Sequence, residues 1–131
     1  RNSSRPAAED TKLVGLRKLN NWIKRILITK YCKPRGSVLD LCCGKGGDLF
    51  KYKHQGICRY VGVDYSADSI DTARSRASPI ISFTHEFAVR DISSERMTFS
   101  EPFDLVSAQF CLHYFFKTKN EEVQTKKGNS R

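Results

Sequence analysis

The 131-residue chain has one tryptophan, one methionine and four prolines, and nowhere an uninterrupted apolar run near the ~18 residues that a membrane-spanning helix needs. Arg1 to Asp10 is polar and lacks the apolar stretch of a secretory signal, so the reading is an intracellular protein. The chain opens on Arg1 rather than Met, and a leader upstream lies outside that reading. No internal repeat is present, which excludes solenoid and propeller arrays. The five cysteines, Cys32, Cys42, Cys43, Cys58 and Cys111, are odd in number and never stand two residues apart. That spacing argues against a disulfide framework and against a zinc site, and for thiols in a reducing compartment. What remains, 39% apolar and 28% charged, is the composition of one packed domain, too short for two cores.

Acidic residues are scarce at the flanks. Residues 1 to 35 carry ten Lys or Arg against two acids, residues 36 to 116 carry eight against ten, and the tail from Lys117 carries five against two. Most of the net charge of +9 therefore sits on either side of a near-neutral centre. Basic flanks suit a polyanion such as RNA, through steering and counterion release, although a charge run also serves simply as a solvated face.

Between Lys12 and Ile28 the residues Leu13, Leu16, Leu19, Ile23, Ile26 and Leu27 recur at three- and four-residue spacing, which predicts an amphipathic helix with a basic face. Asn20 and Asn21 stand inside it, where asparagine is a poor choice unless its amide works outside the helix. After the turn signal Lys33-Pro34-Arg35-Gly36, Ser37 to Leu41 reads as a buried strand and Asp48 to Gln55 as a helix. A second strand follows at Tyr60 to Asp64, then a helix capped by Ser66 or Asp68 and ended by Pro79. Further strands are expected near Ile81 to Val89 and at Phe103 to Ala108. Strands alternating with helices predict a doubly wound, mostly parallel α/β sheet. The domain is expected over residues 12 to 116, with a mobile lead-in over 1 to 11 and a polar basic tail over 117 to 131.

The stretch VLDLCCGKGGDL puts a glycine loop between the first strand and its helix, where a ligand can approach backbone closely. Asp64, twenty positions after Gly44 and at the end of the second strand, is placed to accept hydrogen bonds from ribose hydroxyls. Asp40 and Asp48 flank the loop. They would repel a pyrophosphate, whereas the sulfonium and ammonium of S-adenosylmethionine are attracted to carboxylates, so the charge pattern favours a methyl donor over a dinucleotide. Asp48 also fits the simpler role of a first-turn acid facing the helix dipole.

Four segments carry a likeness: LRKLNNWIKRILI from Leu16, LDLCCGKGGDLFKY from Leu39, VGVDYSADSIDTAR from Val61 and SAQFCLHYFF from Ser107. Together they resemble the eukaryotic-type mRNA cap guanine-N7 methyltransferases over most of residues 13 to 116. The resemblance implies a Rossmann-like class I methyltransferase fold, S-adenosylmethionine as donor, capped RNA as partner and a nuclear location. It assigns Lys24 to the methionine carboxylate, Asp64 to the ribose, Asp91 to the adenine side, and Gln109 and Tyr114 to the rest of the donor pocket. Asn20 and Asn21 would contact the cap, while Lys45, Lys51 and His113 would face its guanosine or phosphates.

At the first loop position the family has glycine and this chain has Cys42, whose Cβ and sulfur would crowd a donor and strain a positive φ. Guanine N7 has a free lone pair, so the family reaction needs alignment and charge rather than a general base, with His113 positioning the guanosine. The strand pattern stops after the fourth strand, which leads to two expectations. One is a truncated record of a working enzyme. The other is a non-catalytic module that binds RNA or a chain completing its sheet.

Overall fold

The computed structural model describes residues 8–109, with side chains from residue 11 onward. The first helix, α1 (Ala8–Tyr31), begins four residues before the apolar periodicity does. Those added residues, Ala8 to Thr11, include no large apolar side chain and so left no periodic signal. The strand β1 (Ser37–Leu41) has the expected bounds, and α2 (Leu49–Gln55), β2 (Arg59–Asp64) and α3 (Ala67–Ala77) lie within a residue or two of expectation. At α3 the Ser66 hydroxyl accepts from Ser69 N at 3.3 Å and supplies the cap. β3 (Thr84–Val89) is shorter than the apolar residues suggested: Ile80 is buried in the turn that ends α3, and Ile81 is 96% exposed. β4 is Leu105–Ser107.

All strand pairs are parallel, in the order β3-β2-β1-β4. The chain thus steps one way from β1 to β3 and then crosses to the other side of β1, the order of a doubly wound sheet. The switch point lies between β1 and β4.

Strand alternation divides the core. On one face Val38, Tyr60 and Phe83 pack with Ile28 and Cys32 at the end of α1, with Leu49 and Tyr52 of α2 and with Ala77 of α3. Tyr60 is the centre of that layer, its ring 5.6 Å from Tyr52, 6.2 Å from Phe83 and 5.7 Å from Phe87. On the other face Leu39, Val61 and Val63 are covered by Ile92, Met97 and Phe103 from the segment between β3 and β4. Much of α1 makes no such contact: Leu13, Leu16, Leu19, Trp22 and Ile26 are all exposed. The amphipathic stripe that announced the helix is thus an apolar surface patch of the kind that marks contact sites.

At the N-terminal ends of the strands, the Asp104 carboxylate accepts from Ser37 N at 2.8 Å and from its hydroxyl at 3.2 Å. These bonds hold the Asp104 carboxyl below its ordinary range and tie the start of β4 to the start of β1. The opposite ends of the strands are left for chemistry.

Candidate functional site

Where β1 ends, the backbone turns through Cys42 at φ 59°, Gly44 at φ 57° and Gly46 at φ 78°. Alternating left-handed residues of this kind aim peptide N–H groups into a concavity. Gly46 is costly to replace, because its φ of 78° strains an L side chain and a Cβ there would lie 2.7 Å from Leu49 Cδ1 and 3.3 Å from the Ala73 backbone. A Cβ on Gly44 would meet nothing within 4 Å, so the space beside that residue is open. Cys42 holds the left-handed conformation without being glycine, as the expected strain at that position requires. Cys32, Cys43 and Cys58 are free.

The loop is anchored from several directions. Gly44 N donates to Asp64 Oδ2 at 2.9 Å, Cys43 N donates to the Val63 carbonyl at 2.9 Å, and Arg76 Nη1 donates to the Lys45 carbonyl at 3.1 Å. Asp64, only 8% exposed, accepts from Ser66 N through its other oxygen at 2.9 Å. A carboxylate has about four acceptor positions, so both oxygens keep capacity for a hydroxyl.

Asp48 stands at the start of α2 and makes no cap hydrogen bond; its carboxylate instead meets Lys24 Nζ at 3.2 Å and Lys51 Nζ at 2.8 Å. Two ammonium groups against one carboxylate leave a net positive charge beside the loop. Lys24 comes from α1, with half-buried Asn20 one turn earlier on the same face and exposed Asn21 beside it. The cluster joins α1, α2 and the loop, and sequence reasoning gave Asp48 no such role. An acid 24 residues from its helical partner leaves no periodic signal.

Asp40, expected to flank the loop, lies instead beneath it in a buried group whose other members the sequence did not announce. Asp40 is 5% exposed and accepts from the Tyr60 hydroxyl at 2.7 Å. Burial pushes its carboxyl up to about 7, opposed by that hydrogen bond and by Lys24 and reinforced by Asp48 and Asp64. Ser107 of β4 is in register with it, and the buried Tyr52 hydroxyl lies near Ser107. Burial, with Asp40 and Asp64 nearby, raises the Cys43 thiol far above its ordinary range, so Cys43 is no thiolate nucleophile.

The remaining expected residues among those described sit at the same end of the sheet. Arg90 N donates to the Asp64 carbonyl at 2.9 Å, which sets Asp91 beside the end of β2. Asp91 Oδ1 accepts from Ser93 N at 3.0 Å and from the Ser93 hydroxyl at 2.6 Å. Gln109, just past β4, donates from Nε2 to the Ser107 hydroxyl at 3.3 Å. Lys45 is exposed on the loop. His113 and Tyr114 lie outside the described residues. Among the described residues no group of three or more His, Cys, Asp or Glu is arranged to hold a metal ion, and no helix is long and apolar enough to cross a membrane.

A parallel sheet whose switch point carries a glycine loop, followed by an acid ending the next strand, defines the nucleoside-binding α/β proteins. Within that class the fold is that of the S-adenosylmethionine-dependent methyltransferases. A solved S-adenosylmethionine-dependent methyltransferase from Mesorhizobium loti superimposes with a TM-score of 0.55 at 25% identity, over 72% of this chain and 41% of that one. The family follows from the sequence: residues 1–130 match the mRNA (guanine-N(7))-methyltransferase domain, and the chain belongs to that family. It is 41% identical over 120 residues to the mRNA cap guanine-N(7) methyltransferase of Cryptococcus neoformans, and 41% identical over 119 residues to that of Saccharomyces cerevisiae. These matches cover 83% of this chain but only 19% and 27% of those two proteins.

Proposed function

We propose that this chain carries the donor-binding half of an mRNA cap guanine-N7 methyltransferase, which moves a methyl group from S-adenosylmethionine to N7 of the guanosine cap of RNA. The observation that carries the reading is the loop at the switch point, with Asp64 tied to its Gly44 amide and Lys24 held at its edge by Asp48. Open space beside Gly44, a carboxylate at the ribose position and an ammonium group where a methionine carboxylate would lie fit such a donor. The donor, when bound, supplies an electrophilic methyl.

In this reading Asp64 accepts from the ribose hydroxyls, Lys24 balances the methionine carboxylate, and Cys42 lies against the donor with Asp91, Gln109 and Tyr114 around it. Asn20, Asn21, Lys45, Lys51 and His113 receive the cap. None of them is asked to remove a proton, because N7 attacks through a lone pair. Favourable placement of charge and exclusion of water supply the rate. The setting is nuclear mRNA processing, and the exposed α1 stripe and the β4 edge are the surfaces that a further segment of the protein would cover.

The test is transfer of labelled methyl from S-adenosylmethionine to RNA bearing an unmethylated guanosine cap, with uncapped RNA as control. Label at guanine N7 that depends on the cap supports the proposal. Label that appears equally on uncapped RNA defeats it. Donor binding without transfer favours the non-catalytic module.

A further inference from the structure

Between α1 and α2 runs a groove of about 330 Å³ that shares only Lys51 with the site described above. Ile28 forms its buried floor, Arg25 and His54 stand on its walls, and Phe50 lies beside them with 58% of its surface exposed. Gln55 closes one end by donating to the Thr29 carbonyl at 3.2 Å and to the Cys32 carbonyl at 3.4 Å. At the other end Lys51 reaches Asp48, so the groove opens beside the donor loop.

The charge of this region is one-sided. From Thr11 to Arg35 the sequence has eight Lys or Arg and no acid. Among the described residues no carboxylate pairs with Arg25 or His54. The nearby carboxylate, Asp48, already faces two ammonium groups. An unpaired cation, an imidazole and an exposed aromatic ring along one groove match a single-stranded polynucleotide, in which phosphates alternate with base faces. An acidic peptide would use the cations but would leave the Phe50 ring without a partner.

We infer that the α1–α2 groove is a second RNA subsite, in which Arg25 contacts a phosphate and Phe50 stacks on a base of the transcript leading away from the cap. The inference rests on the cap-methyltransferase reading for the identity of its RNA, but not for binding itself. A base stacked on Phe50 and a phosphate on Arg25 would hold the transcript against α1 and α2, so affinity would depend on RNA beyond the cap.

The experiment measures binding of the whole chain to a fluorescent twelve-nucleotide single-stranded RNA, and separately to an unmethylated cap dinucleotide. The variants are Arg25→Glu, Phe50→Ala and, as a charge-matched control near the N-terminal ends of the strands, Lys33→Glu. Arg25→Glu and Phe50→Ala are each expected to weaken the RNA by about tenfold. Arg25→Glu is also expected to lower the slope of log affinity against log salt by about 0.7. Cap dinucleotide affinity and the far-UV spectrum stay as in the parent, and Lys33→Glu changes RNA affinity little.

Groove variants that bind RNA like Lys33→Glu overturn the inference, as does a parent chain that binds no RNA. Competition by polyglutamate combined with no effect of Phe50→Ala also overturns it, in favour of an acidic protein partner. RNA binding that depends on the groove while the cap dinucleotide is neither bound nor methylated sustains the subsite and removes the cap-methyltransferase reading.

Discussion

Replacing Asp40 by Asn tests the buried group beneath the glycine loop. An aspartate whose carboxyl is pushed up from 3.8 to about 7 binds a proton in the folded chain across a pH range where the unfolded chain does not. Folding is therefore favoured by Asp40 below pH 4, and that contribution is lost progressively as pH rises to about 7, after which the loss is complete. The window spans roughly three pH units, and at about 1.36 kcal/mol per unit the total is about 4 kcal/mol. Asparagine has no such dependence. Its carbonyl can still accept from the Tyr60 hydroxyl, while its amide N–H groups are buried in place of a carboxylate oxygen. Imperfect hydrogen bonding of the buried amide costs about 1–2 kcal/mol, leaving Asp40→Asn about 2 kcal/mol more stable than the parent at pH 7.5 and less stable at pH 4.

Urea unfolding at half-unit pH steps from 4 to 8, followed by circular dichroism, measures the difference between the two chains and cancels the titration of all other groups. The difference curve should change sign inside the window. A curve flat from pH 4 to 7 would mean that Asp40 ionises normally despite its burial, with Lys24 and the Tyr60 hydroxyl fully offsetting desolvation.

Two further outcomes are expected from the loop. Cys42→Gly removes a side chain held at φ 59° and the sulfur beside the open space, so S-adenosylhomocysteine should bind about threefold more tightly. Calorimetry with both chains measures that effect, and an unchanged affinity would show that the loop accommodates Cys42. Gly46→Ala forces a Cβ against Leu49 and Ala73 at φ 78° and should lower stability by about 3 kcal/mol, read from the urea midpoint. A loss under 1 kcal/mol would mean that α3 can shift away.

The sequence was most informative wherever a pattern is local. β1 kept its expected bounds because turn residues precede it and the glycine loop follows, and α3 because Ser66 and Pro79 bracket it. Ile81 misled because an apolar residue after proline looks like the start of a strand, yet it points to solvent. Asp64 was recognisable by its distance from the loop, and the loop amide does reach it. The pairing of Lys24 and Lys51 through Asp48, the tie from Arg76 to the Lys45 carbonyl and the Tyr60–Asp40 bond were not recognisable. Each joins elements that only the folded sheet brings together, and none recurs at a helical or strand period.

The hydrogen bonds that fasten the loop bear on how a ligand is greeted. Gly44 is held from β2, Cys43 by the same strand and Lys45 by α3, so the turn has its shape through contacts made within the protein. Ordering a flexible backbone costs about 1–2 kcal/mol per residue, and for the six residues from Cys42 to Gly47 that penalty falls on folding rather than on binding. A small molecule that docks here displaces water without recruiting backbone, and its affinity reports the quality of its contacts alone.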